Sequence, residues 1–142
     1  MKIKDIIQVI ESFAPIALQE SYDNAGLIIG NPESPVKAAL LCIDVTETVI
    51  EEAKSLGANL IIAHHPLIFT GLKKINGSDM VQRCVIQAIK HDIAIYAVHT
   101  NIDNVINGVN GKIADKIRLT NRKILQPKSG MLVKLITFVP KL

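Results

Sequence analysis

Three short apolar runs constrain this chain most: AALLCI at 38–43, NLIIA at 59–63 and IAIYAV at 93–98. Each has strand length and is apolar almost throughout, the pattern of a strand covered on both faces rather than wetted on one. Between them the spacing becomes helical. Val49, Ile50, Ala53 and Leu56 recur at helical steps, as do Val81, Val85, Ile86 and Ile89. Strand, helix, strand, helix, strand with no hairpin signal predicts successive right-handed crossovers. The expected class is therefore α/β, a mostly parallel sheet with helices on both faces.

The flanking segments fit around that unit. Ile3, Ile6, Ile7, Ile10 and Phe13 mark an amphipathic first helix closed by Pro15. SYDNAGLIIG reads as a polar knot followed by a short strand ending at Gly30. Asp44, with Glu47 three residues on, resembles a capping box for the second helix, and Gly57 suits the position after its end. Ser78 is the expected cap of the third helix, which runs to about His91. GVNGKIADKI predicts a further short helix, and MLVKLITFVP an alternating strand.

A chain of 142 residues is one domain by length, and a 49 % apolar share is too high for disorder. No apolar run approaches the ~20 residues of a membrane span. The opening MKIKDIIQVIES lacks the apolar stretch of a signal peptide, so a cytoplasmic protein is expected. Cys42 and Cys84 have no metal or redox spacing and read as two buried thiols. The basic residues from Lys112 to Lys128 are scattered and tryptophan is absent, which argues against a nucleic-acid partner.

In a parallel sheet, ligands bind outside the carboxyl ends of the strands. Asp44 follows the first buried strand, His64 and His65 the second, and His99 the third, with Asp103 four residues beyond. Neighbouring strands lie ~4.8 Å apart, so these groups can converge within reach of a metal. Imidazole suits zinc, iron, nickel or manganese, and a carboxylate can bridge two ions. Adjacent histidines leaving a strand diverge, which favours two ions taking one each over one ion taking both, and such a pair activates water for hydrolysis. Pro66 keeps His65 extended.

Blander readings stand beside this one. The histidines can simply bond loop carbonyls. Asp44 reads as a helix cap before it reads as a ligand. His99 reads as a partner orienting Asp103 or a loop, and His91 as a helix-end residue. Asp23 and Asn24 are natural turn formers. The glycines of DNAGLIIG do not have phosphate-loop spacing, and Ser21 and Ser78 lack a neighbouring base.

Four segments, SYDNAGLIIG, CIDVTETVIEEA, LIIAHHPLIF and AVHTNIDN, make the chain resemble the Nif-three-like family, whose bacterial members are called GTP cyclohydrolase 1 type 2 homologues. Tyr22 stands where that family usually has tryptophan. The resemblance implies two similar α/β halves with a two-metal site in the cleft between them, and a toroidal homohexamer. It implies that His64, His65 and Asp103 are metal ligands, Asp103 bridging both ions. His99, Asp44, Asp23 and Asn24 are possible partners behind those ligands. The family completes the site with a histidine and a glutamate from its C-terminal half, and no histidine follows His99 here.

The resemblance thus divides the chain into an N-terminal α/β half, residues 1–130, and a strand at 131–142 like the start of an insert domain. Up to two divalent ions are expected in a complete protein, with single-ion or no occupancy in this chain. By resemblance, the function is metal-dependent hydrolysis of a nucleotide or phosphoester, the family label pointing to GTP ring opening. The alternatives are a non-catalytic metal-binding regulatory or interaction protein, or a single-iron site of two histidines and one carboxylate.

Overall fold

Alternation within the apolar runs decides which helices cover which face. The structure, a computed structural model, describes residues 1–127. Its elements are α1 (Ile3–Phe13), a 3-10 turn (Ile16–Leu18), β1 (Gly26–Ile29), β2 (Ala39–Cys42), α2 (Glu47–Ser55) and β3 (Leu60–Ala63). There follow α3 (Met80–Lys90), β4 (Ala94–Ala97), α4 (Thr100–Asp103) and α5 (Val109–Lys116). The strand expected at MLVKLITFVP lies outside the described residues.

The sheet order is β1-β4-β3-β2. β2, β3 and β4 run parallel, with Cys42 paired to Ala63 and Ala63 to Ala97. The mostly parallel α/β class is therefore observed. β1 is the exception: it runs antiparallel to β4, with Gly26 opposite Ala97. Gly30, at φ +113°, lets β1 leave the sheet beside β4, since a Cβ there would lie 2.6 Å from Ala94 Cβ.

Successive side chains on a strand point to opposite faces. Ile61, Ala63, Ile93 and Ile95 pack with Ile50 and Ala53 of α2 and Cys84, Val85 and Ala88 of α3. Leu60, Ala94, Tyr96 and Val98 point the other way, against Ile3, Ile6, Ile7 and Ile10 of α1. Crossovers β2-α2-β3 and β3-α3-β4 progress in one direction, so their constant handedness puts α2 and α3 on the same face. The opposite face is left to α1, whose isoleucines form the stripe read from the sequence. On that face the edge strand β2 is uncovered, and Leu41 is largely exposed.

Two caps differ from expectation. Thr46, not Asp44, caps α2 by accepting the Val49 N–H, and Asp79, not Ser78, caps α3 by accepting the Gln82 N–H. In each case a residue nearer the first turn supplies the acceptor, and Asp44 and Ser78 are left outside the helices. Gly57 follows α2 at φ +66°, as its position after the helix requires.

Candidate metal centre

The pairing register forms the site. Stepping two residues past Cys42, Ala63 and Ala97 reaches Asp44, His65 and His99, one row across three adjacent strands. Backbone bonds hold the row beyond the strand ends: His64 N–H to Cys42 O (3.1 Å), His65 N–H to Ile43 O (2.9 Å) and Val98 N–H to Ala63 O (2.8 Å). Because β1 is antiparallel, its beginning rather than its end meets this rim. Asp23, just before β1, thereby becomes the fourth member. The row reads Asp44, His65, His99, Asp23.

Each histidine has Nδ1 engaged. His65 Nδ1 lies 2.7 Å from Asp44 Oδ1, and His99 Nδ1 lies 2.7 Å from Asp23 Oδ1. His64 Nδ1 lies 2.9 Å from the Val98 carbonyl. A carbonyl and an ionised carboxylate only accept, so each Nδ1 carries the proton and donates it. The neutral form of each ring then has its lone pair on Nε2. The ring centroids are 4.9 Å (His64–His65), 5.4 Å (His64–His99) and 5.6 Å (His65–His99) apart. One donor atom from each comes within 4.8 Å of the others, so the adjacent His64 and His65, expected to diverge, converge instead. Three imidazoles, each fixed by an acceptor behind it, form a donor set suited to a borderline divalent ion.

The acceptors differ in their surroundings. The Asp23 side chain is closed to solvent. Burial by itself pushes its pKa up. Hydrogen bonds from the Thr100 hydroxyl, His99, and the backbone N–H groups of Thr100 and Asn24 outweigh burial and hold it below the usual carboxylate value. Asp44, by contrast, is mostly exposed. Asn24 acts elsewhere, its side-chain amide donating to Ile68 O at 2.6 Å and tying the loop after His65 to the approach of β1.

Of the residues singled out in the sequence, His64, His65 and His99 converge, with Asp44 and Asp23 behind two of them. Asp103, the last residue of α4, is not among the mutually close donors. His91 ends α3. What sequence reasoning undervalued was His99, placed as a partner when it stands level with His65. The equal offset of the two histidines from the apolar runs was the available signal. The centre is an open rim. A hollow of about 410 Å³ elsewhere is lined by Phe13, Ile102, Val109 and Ile113 among others and contains none of these histidines.

The chain's similarities agree with this fold. The Duf34/NIF3 (NGG1p interacting factor 3) family profile matches residues 1–139. The GTP cyclohydrolase 1 type 2 homolog of Halalkalibacterium halodurans is 43 % identical over 136 residues, covering 95 % of this chain and 37 % of that protein. Its Clostridium perfringens counterpart is 43 % identical over 129 residues, 91 % of this chain and 49 % of that one. Among solved structures, a Bacillus cereus protein related to NIF3 superposes with a TM-score of 0.84 at 44 % identity, over 90 % of this chain and 36 % of its own. Reduced HcgD from Methanocaldococcus jannaschii gives 0.82 at 34 % identity, over 89 % and 50 %. The chain thus spans between about a third and a half of the length of these relatives.

Proposed function

This chain belongs to the Duf34/NIF3 family, and from that premise we propose that it is the metal-holding part of a metal-dependent hydrolase acting on a nucleotide or phosphoester. The observation that supports this reading is the three-imidazole group, with one ring nitrogen of each within 4.8 Å of the others and an acceptor beside every Nδ1. A divalent ion there supplies Lewis acidity and makes a nucleophile of water at neutral pH. His64, His65 and His99 hold it. Asp44 and Asp23 fix two of the rings and make them better donors. Asp103 is a ligand by family resemblance alone and stands outside the imidazole group. Zinc, manganese, iron and nickel all suit this set, and two ions would exhaust its donors, so one ion is the expected load. Family resemblance adds assembly into a homohexamer to this proposal, and the sequence pattern adds a cytoplasmic location. No helix among the described residues is long and apolar enough to cross a membrane.

Calorimetric titration with zinc and with manganese tests the metal site. One site is expected in the chain as it stands, abolished by His64→Ala. Two tight sites, or none, would contradict the proposal. Turnover is tested by incubating the metal-loaded protein with GTP and a panel of phosphoesters, with and without chelator. The relatives' name makes GTP the first probe. Binding of metal without chelator-sensitive turnover would leave a metal-binding regulatory protein as the better account.

A further inference from the structure

Two aromatic side chains stand exposed on the rim beside the imidazoles. The chain has five phenylalanine and tyrosine residues in all. Phe69 (48 % exposed) and Tyr22 (65 % exposed) lie with ring centroids 6.4 Å apart, and Phe69 meets His99 edge to face at 6.2 Å. Phe69 ends the loop segment at 66–69, where Pro66 and Leu67 are buried and Ile68 packs against the core. Over 66–69 the chain turns its other apolar side chains wholly or partly inward and leaves the largest one out. The Asn24–Ile68 hydrogen bond sets the spacing, since Tyr22 lies two residues before one end of that clamp and Phe69 immediately after the other.

Two tethered rings with open surface, continuous with a cluster of metal donors, suit a ligand that has a flat ring at one end and a metal-seeking polar group at the other. We propose that Tyr22 and Phe69, their planes inclined at 53°, form an angled aromatic platform for the heteroaromatic ring of the substrate, one ring stacking on its face and the other meeting its edge, with its polar group over the imidazoles. This rests on the hydrolase reading for the polar end alone. The platform itself is independent of any ion, because its spacing is set by hydrogen bonding and packing.

Guanosine monophosphate carries a ring and a phosphate; ribose 5-phosphate carries the phosphate without the ring. Calorimetry on the zinc-loaded protein is expected to show guanosine monophosphate binding at least about tenfold tighter, as stacking on one aromatic side chain gives. Phe69→Leu and Tyr22→Leu each reduce that preference roughly tenfold. Tyr22→Phe retains it, and zinc affinity and ribose 5-phosphate affinity stay unchanged in all three variants. Repeating the titration in chelator separates the two ideas. A ring preference that persists without zinc supports the platform even if zinc binding fails. Equal binding of the two probes, or variants that keep the preference, overturns it. So does sedimentation showing that Phe69→Leu breaks up an assembly of copies while guanosine monophosphate fails to bind, because the rings then belong to an interface.

Discussion

Two carboxylate–histidine pairs of the same length, 2.7 Å, support this site, and they are built in opposite ways. In Asp44–His65 the side chains are 64 % and 49 % exposed. In Asp23–His99 they are 0 % and 18 % exposed. Asp44 bonds the imidazole, whereas Asp23 also takes the Thr100 hydroxyl and the N–H groups of Thr100 and Asn24. Thr100 in turn accepts the Glu20 N–H, so the buried pair joins the loop before β1 to the start of α4. An exposed ion pair contributes little to folding, while a buried carboxylate is tolerated only with its donors in place. One histidine is held by the fold and the other by a partner that solvent can replace.

The largest effects are expected on metal binding. His65→Ala and His99→Ala should each reduce zinc affinity by about 100-fold or more by calorimetry, an upper range for loss of ligand support. Only His99→Ala should also lower stability. Next, Asp23→Ala should destabilise the protein by about 3 kcal/mol in urea unfolding, because it strands several buried donors at once. If Asp44→Ala destabilised it equally, the contrast between the pairs would be wrong. Asp44→Ala should instead change stability by less than about 1 kcal/mol and weaken zinc binding roughly tenfold.

A finer contrast lies in acid. The folded pKa of Asp23 is depressed, so its contribution is complete above the ordinary carboxylate range and is lost as pH falls through the folded value. In chelator, Asp23→Asn should flatten the loss of stability as pH falls below the ordinary carboxylate range. Thr100→Val falls between the two aspartate variants, at about 1–2 kcal/mol by the same unfolding measurement, since one donor to Asp23 is removed while the backbone donors remain.

These pairs also mark how far local reading reached. The three parallel strands, the helices between them and the α1 stripe were legible because burial on both faces, or on one helical face, writes itself at periods of two and 3.6 residues. The convergence of His64, His65 and His99 was legible in outline, since each follows an apolar run. Their ranking was not. Placing His99 level with His65 requires the pairing of Ala63 with Ala97, a long-range register that no local pattern encodes. The caps at Thr46 and Asp79 were missed for a related reason. Several side chains near a helix start have suitable oxygens, and the first-turn backbone geometry chooses among them.

Sequence alone settled the α/β class, the strand ends where polar residues gather, and which residue types stand there, because burial and periodicity are properties of neighbours along the chain. The tertiary structure decided the roles. β1 turned out antiparallel, so the Asp23 turn reached the same rim as the histidines and was buried there. Asp44, free of the helix it was expected to cap, became the acceptor for His65. Both assignments depend on distances between strands far apart in the chain, and only the folded sheet sets those.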